Sequence, residues 1–495
     1  MLLAQLNGVA GRLIPRHFAV CLVRSAPAPR PRPLSSSGGS GMERGACWPS
    51  IKRKRSAEKK KREGAVKDLP AKDLGGDVKS KEAENFPSFE EPAPGGAASA
   101  LLARRWEVWP DRGGGAGALD LSVMSYNILS QDLLRDNSYL YSHCPPETLD
   151  WSRRLPNLLA ELRNYDADVL CLQEVQEDHF ETQIKPALDA QGYECVYKKR
   201  TGEKADGCAV AFKTSRLSLL SSNPVEFFRP GDALLDRDNV GLVLLLRPKE
   251  GALTNSSGFL CVANTHLLYN PRRGDVKLAQ LAVLLAEIGR LSRLPDGAAN
   301  SVLLCGDFNS TPWSPLLTFL LAGRLKYRHL PISAVSGQEY GSRGQRLLEN
   351  PIWSPTLGIN QRCQYESTRD GDSSSTSVAE GETAHLKAED VAKQQKALKS
   401  WLLEHDLRLR SSYAPRLPPD GRPAVTTCHS RCAAMVDYIL YTPLGPEERG
   451  LQLLGRLSLV GRPELERAGG LPNTRHSSDH VPLLARFRWH VGNRS

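Results

Sequence analysis

One pattern recurs from Leu121 to His490. A run of apolar residues the length of a strand stops abruptly on polar side chains. Asn127 ends LSVMSYN, Gln173 and Glu174 follow VLCL, Thr265 and His266 follow LCVAN, and Gly306, Asp307, Phe308 and Asn309 follow VLLC. Runs apolar at successive positions predict strands buried on both faces. Further strands are expected at 207–213, 239–247, 258–267 and 301–309, and late ones at 433–441, 450–460 and 481–490. Between the early runs the apolar spacing is helical. Residues 148–165 read as an amphipathic helix despite Pro156, and 274–291 as a second helix. In 314–323, Ser314 stands as cap with Pro315 at the first helical position. Strands alternating with helices, then mostly strands, predict a layered α/β (α+β) sandwich. In such sheets short loops at strand ends aim side chains at one point, where ligands gather.

The pattern fails in two places. Between Cys363 and about His405 it gives way to low-complexity ESTRDGDSSSTSVAEGET, which predicts a flexible insertion followed by a short helix at 386–405. Residues 1–105 are poor in aromatics and rich in Arg, Lys, Pro, Gly and Ser, so they predict an arm without a packed core; the ordered domain is expected over 106–490.

The arm also carries the charge. The 495 residues hold 65 Lys and Arg against 55 Asp and Glu, a formal +10. Residues 1–62 contain 14 of the basic residues and only Glu43 and Glu58 as acids, so the remainder of the chain sums to −2. The charge therefore does not make the domain itself a basic nucleic-acid binder, and any anion site there must be local. Residues 1–42, with five Arg and no acid, fit a mitochondrial transit peptide or an unstructured leader. The clusters in IKRKRSAEKKKRE (51–63) fit a nuclear import signal or a phosphate-contacting tail. Cytoplasm and nucleus are the expected locations, with the mitochondrion as alternative. No apolar run approaches a membrane span. The 11 cysteines are odd in number and several sit inside apolar runs, as do Cys171, Cys261 and Cys305, which predicts free thiols. Cys428, His429 and Cys432 have no second Cys/His pair at zinc spacing, so no zinc site is expected.

The polar residues at the run ends fit one chemistry. Asp437, between Val436 and Tyr438, is a carboxylate in an apolar strand and needs a partner or a metal. Hard oxygen ligands such as Glu174 suit Mg2+, which stabilises charge on a phosphoryl oxygen. Asn127 and Asn309 can hydrogen-bond a phosphate without adding negative charge. His480 can donate to the phosphate or move a proton, with Asp437 fixing its tautomer.

The strings MSYNIL, CLQEV, NTHLLYNPRRGDVK, CGDFNS, VDYI and SSDHVPL stand in the order and spacing of one superfamily. Together they resemble the endonuclease/exonuclease/phosphatase superfamily, in the branch that holds the carbon-catabolite-repressor deadenylases, nocturnin and the angel proteins. The resemblance covers about 121–488. It implies a four-layer αββα sandwich with one active site at the mouth of the sheets. It further implies Glu174 as principal Mg2+ ligand, with Mn2+ as the alternative ion, and Asp479 as accessory ligand. Asn127 and Asn309 take the phosphate and metal-water positions, and Asp307 orients or activates the attacking water. His266 is the phosphate-side histidine, and Asp437 orients His480. The implied substrate is RNA, and the implied reaction is removal of 2′,3′-cyclic phosphate from RNA 3′ ends. A 3′-to-5′ poly(A) exoribonuclease is the second reading, and a non-catalytic RNA adaptor using the basic arm is the third.

Local cations are the remaining RNA contacts to expect. Arg272, Arg273 and Lys277 follow His266 at a helix start, where free N–H groups also favour phosphate. Arg229 and Arg237 are further candidates, and Phe227, Phe228 and Tyr269 are candidate base-stacking residues.

Overall fold

The computed structural model describes residues 102–110, 118–249, 258–294, 299–339, 346–366, 401–445 and 449–491. The leader, the basic clusters at 51–63 and most of the 363–405 insertion lie outside the described residues.

In chain order the strands are β1 (Trp106–Val108), β2 (Ala118–Asn127), β3 (Val169–Gln176), β4 (Tyr193–Lys199), β5 (Asp206–Lys213), β6 (Leu217–Glu226), β7 (Val240–Pro248), β8 (Leu260–His266), β9 (Ser301–Asp307), β10 (Arg324–Lys326), β11 (Leu402–Glu404), β12 (Arg410–Ser411), β13 (Thr427–His429), β14 (Cys432–Ala434), β15 (Asp437–Tyr441), β16 (Arg449–Leu457) and β17 (Leu483–Val491). The helices are α1 (Gln131–Asp136), α2 (Trp151–Tyr165), α3 (Glu177–His179), α4 (Lys185–Asp189), α5 (Gly274–Leu291), α6 (Pro315–Ala322) and α7 (Arg462–Arg467); a π-helical turn, Phe180–Ile184, joins α3 to α4.

Two sheets carry the site. One runs β1-β16-β17-β2-β3-β5-β4 and the other β12-β15-β9-β8-β7-β6. Each has one parallel pair near its middle, β2 with β3 and β8 with β9, among otherwise antiparallel neighbours. The parallel pairs end on Asn127 opposite Gln173, with Glu174 next in line, and on His266 opposite Asp307. The antiparallel β15 starts with Asp437 directly opposite Asp307. Residues at the ends of four parallel strands and the beginning of a fifth are thus brought to one edge of the sandwich.

The alternation of side chains across the strands builds the layers. Val123, Val169, Cys171, Val210 and Phe212 join the core shared with the second sheet. Met124, Tyr126, Leu170, Leu172, Ala209 and Ala211 face the other way, onto Leu158 and Leu162 of α2 and Phe180, Ile184 and Leu188. On the far side α5 and α6 cover the second sheet through Leu278, Leu281, Leu285, Leu317 and Leu320. The result is the expected four-layer αββα arrangement, with mixed sheets inside and helices outside. At α6 the Ser314 side chain accepts from Leu317 N and Pro315 opens the helix, as the sequence predicts.

The differences from the sequence reading have physical reasons. β4 and β6 are edge strands, and edges need not be apolar on both faces, so YECVYKK and LSLLSSNPVE lack the signal of the interior strands. The expected strand at 433–441 is two elements, β14 in a hairpin with β13 and β15 in the main sheet. The end of the expected 386–405 helix is instead β11, paired with β10. Both ends of the 363–405 insertion are packed, since Cys363 and Leu403 are buried. The domain also takes in the last residues of the expected arm: Leu102 is buried and Arg104 donates to Ser458 O and Pro482 O.

Candidate active site

The strand ends surround a cavity of about 270 Å3 whose wall includes Glu174, His266, Asp307, Asn309, Asp479 and His480. Local backbone geometry aims these groups. The β3–β5 register shifts between Leu172 and Val175, and within this bulge Glu174 adopts φ 54°. A bulge re-aims a side chain that a regular strand would send elsewhere. Asn309, in the loop after β9, has φ 46°. Positive φ at non-glycine residues is costly and is held only by surrounding structure. Gly306 is required where β9 closes on β8: with φ 146°, a Cβ there would lie 2.0 Å from Thr265 O.

Asn127 links the carboxylates. Its Nδ2 donates to Glu174 Oε1 at 3.0 Å and to Asp307 Oδ2 at 3.2 Å, while its Oδ1 accepts from Leu129 N. Ser130 N donates to Glu174 Oε2. Asp307 Oδ1 accepts from Asn309 N at 2.8 Å. Asn309 Nδ2 donates to Leu267 O and to His266 Nε2, at 3.1 and 3.0 Å. The amide oxygen could not serve either contact to an acceptor, so Nε2 accepts and the His266 proton sits on Nδ1. That nitrogen lies 3.9 Å from Glu174 Oε1. Burial lowers the His266 pKa despite the neighbouring Glu174, which keeps the ring neutral.

His480 is the opposite case. Its Nδ1 meets Asp437 Oδ2 at 2.8 Å and its Nε2 faces Asp307 Oδ2 at 3.8 Å. Burial opposes the charged ring, but Asp437, Asp479 and Asp307 outweigh it and hold the pKa well above the usual value. Burial, then Asp437, pushes Asp307 up to about 7. Burial also raises Glu174.

Carboxylates are thus crowded here with little to balance them. Asp437 Oδ1 and Asp479 Oδ1 are buried without a hydrogen-bond partner. Such groups call for a cation. The buried group Asp307, Asp437 and His480 could hold a metal ion. Its Asp437–His480 contact is already a short hydrogen bond, and Glu174 and Asp479 stand on the same cavity wall outside that group, with the carboxylate oxygens that suit a hard ion.

All eight polar residues expected from the strand ends and the motifs therefore meet. The arginines do not. Arg272 is exposed, and Arg273 pairs with Asp275 of α5 at 2.9 Å; neither lines the cavity. Lys277 points inward rather than to solvent, fully buried, with Nζ donating to Asn309 O and to Gln338 Oε1, and burial pushes its pKa down to about 7. Arg237 pairs with Asp236, and Arg229 donates to Glu226 O and Phe228 O. Phe227 is core, whereas Tyr269 is exposed on the cavity wall. The cations actually on that wall are Arg200 and Lys204, in the β4–β5 loop. Their signal was the run KKRTGEK, hidden because β4 itself was unreadable.

Two supporting residues were also missed. Tyr141 donates to Asp479 Oδ2 at 2.9 Å. Arg154, fully buried in α2, donates to Ile128 O, Leu129 O, Gln131 Oε1 and Ser477 O, tying the loop after β2 to the loop before β17. A lone Arg or Tyr in sequence does not announce such partners. Among the described residues Cys428, His429 and Cys432 are not part of a group placed to hold a metal, and the described cysteines are free thiols. No described helix is long and apolar enough to cross a membrane.

A family model described as the endonuclease/exonuclease/phosphatase family matches residues 124–480. Protein angel homolog 2 of Danio rerio is 51% identical over 463 residues, covering 89% of this chain and 79% of the relative. Protein angel homolog 2 of Homo sapiens is 54% identical over 380 residues, covering 74% of this chain and 69% of the relative. A crystal structure of ANGEL2, a 2′,3′-cyclic phosphatase, in complex with adenosine-2′,3′-vanadate aligns with TM-score 0.67 at 52% identity, covering 79% of this chain and 100% of that one.

Proposed function

Because the chain belongs to the endonuclease/exonuclease/phosphatase family, we propose that it is a divalent-cation-dependent hydrolase that removes 2′,3′-cyclic phosphate from RNA 3′ ends, leaving both hydroxyls and inorganic phosphate. The carrying observation is the cluster of buried Asn127, Asp307, Asn309, Asp437, Asp479 and His480 with half-buried Glu174 and His266, in a chain 52% identical to a cyclic phosphatase crystallised with adenosine-2′,3′-vanadate.

Mg2+ is the fitting ion, with Mn2+ as a substitute, because the donors are carboxylate oxygens. Glu174 would be the principal ligand and Asp479 an accessory one. When bound, the ion would neutralise the carboxylates and stabilise charge on the phosphoryl oxygens. The chain's own groups do the rest. Asn127 and Asn309 fix Asp307 and His266, each with both amide hydrogens engaged. Asp307 orients or activates the attacking water. Neutral His266 stands on the phosphate side, and its partner Asn309 sets its tautomer. Two P–O bonds break in succession, each consuming one water, and charged His480, oriented by Asp437, donates to the developing charge on phosphate or on the ribose oxygen that leaves in each hydrolysis.

The test is an end-group assay with and without Mg2+. Oligoribonucleotides ending in 2′,3′-cyclic phosphate should yield a 2′,3′-diol and free phosphate only with the cation. Shortening of a poly(A) tail with cyclic ends left intact would favour the exoribonuclease reading, and turnover of neither, with the domain folded, would leave the adaptor.

A further inference from the structure

The floor of the cavity is acidic, and its wall is not uniform. Among the described lining residues the Lys and Arg side chains are Arg200 and Lys204, both in the loop from β4 to β5. Arg200 is held on one side only. Its Nη1 contacts Asp206 Oδ1 at 3.1 Å and Oδ2 at 3.4 Å, and its main-chain N donates to Asp206 O. Its Nε is buried and has no hydrogen-bond partner. The guanidinium lines the cavity wall with Nη1 engaged by Asp206, and a forked guanidinium can hold a second anion beside the first. Lys204 is exposed and has no ion pair among the described residues. The loop that carries both is pinned: Thr201 Oγ1 donates to Asp238 Oδ1 at 2.8 Å and Thr201 N donates to Asp238 O. The cations are therefore presented to the cavity on a fixed support.

We propose that Arg200 and Lys204 form a subsite for the phosphodiester that joins the terminal nucleotide to the rest of the RNA strand. The inference rests on the cyclic-phosphatase reading above. With the reacting phosphate over the carboxylate floor, the strand's next negative charge has to leave along a wall. Asp206 neutralises only part of Arg200, and no ion pair among the described residues neutralises Lys204. A free nucleoside 2′,3′-cyclic phosphate has the reacting group but no such phosphodiester. The subsite therefore makes a strand end a better substrate than a nucleoside. It also supplies the local cation that a domain of near-zero net charge requires, in the place where Arg272 and Arg273 were expected.

The experiment compares the full chain with Arg200→Gln, Lys204→Gln and the double variant. Kinetics on a short oligoribonucleotide ending in 2′,3′-cyclic phosphate are set against adenosine 2′,3′-cyclic phosphate. The ratio of the two kcat/KM values should fall about tenfold or more in the double variant, as expected for lost charge-assisted contacts. A second readout needs no turnover: the salt dependence of binding an oligoribonucleotide that ends in the 2′,3′-diol. Its log–log slope should flatten by about 0.7 for each phosphate contact removed. An unchanged ratio together with an unchanged slope overturns the subsite. Equal losses on both substrates also overturn it, placing the cations at the reacting phosphate. If the parent chain released no phosphate from cyclic ends, the cyclic-phosphatase reading would fall while the slope still decided the subsite. Should Arg200→Gln not fold once its contact to Asp206 is lost, Lys204→Gln, which breaks no ion pair, decides the question.

Discussion

The ammonium of Lys277 donates to the main-chain oxygen of Asn309 from a fully buried position in α5. The contact reaches across from a helix of the outer layer to the loop that presents Asn309 to His266, and it helps hold that loop at positive φ. Lys277→Met keeps the stem volume but leaves Asn309 O without its donor. We expect a loss of about 1–3 kcal/mol in denaturant unfolding. We also expect kcat to fall about tenfold or more with a smaller change in KM, because Lys277 touches the positioning loop and not the cavity. A KM effect without a kcat effect would contradict this.

The hydrogen bond from His480 to Asp437 makes a pH prediction. The folded-state pKa of His480 is held well above its usual value, so the donating form is present at neutral pH and is lost as pH rises through that raised value. The rate should show an alkaline limb. Asp437→Asn removes a charge that raises the pKa, so the limb should move to lower pH and the maximal rate should drop. A pH–rate profile of the variant whose alkaline limb stays in place would show that another group is titrating.

Mg2+ should stabilise the protein more at about pH 8 than at about pH 5. Asp307 titrates near 7 in the fold, against 3.8 for the free side chain. A carboxyl whose folded pKa is raised costs stability as pH climbs from its unfolded value through its folded one. Without a cation that cost is fully present at about pH 8, and a bound cation offsets it. At about pH 5 protons compete for the same oxygens. Thermal melts with and without Mg2+ at the two pH values read the difference directly.

Glu174→Gln should abolish most of that Mg2+ stabilisation and reduce turnover by about 100-fold or more. In the absence of metal the variant should be at least as stable as the parent, because burial already disfavours the Glu174 charge. A melt showing large destabilisation without metal would make Glu174 a structural residue.

Arg154→Met should be the most destabilising of these changes. Four oxygens, on Ile128, Leu129, Gln131 and Ser477, lose a buried guanidinium donor. Leaving several buried acceptors unsatisfied costs about 3 kcal/mol or more. The loops after β2 and before β17 should loosen together, which hydrogen exchange at Leu129 and Ser478 would detect.

Much of the fold could be read because interior strands are apolar at successive positions and the helices are periodic. The edge strands β4 and β6 could not, since one side of an edge meets solvent and tolerates polar residues. The same blindness hid Arg200 and Lys204, which sit in the loop after β4. Arg272 and Arg273 misled for a related reason. A basic pair beside a motif says nothing about direction, and Asp275 two residues on supplies Arg273 with a partner.

The sequence by itself determined which groups stand at the strand ends, because hydrophobic burial forces the runs inside and leaves each polar terminus at a loop. It also confined the basic excess to the arm. How those groups relate depends on the packing of distant segments. The bulge at Glu174, the left-handed Asn309 and the register that sets Asp437 opposite Asp307 bring distant residues within hydrogen-bonding distance. Burial in that packing raises Asp307 and lowers His266 and Lys277, and the carboxylates gathered around His480 raise it against its burial. Such shifts depend on desolvation and on neighbouring charges a few ångströms away, and both are properties of packing in space rather than of order along the chain.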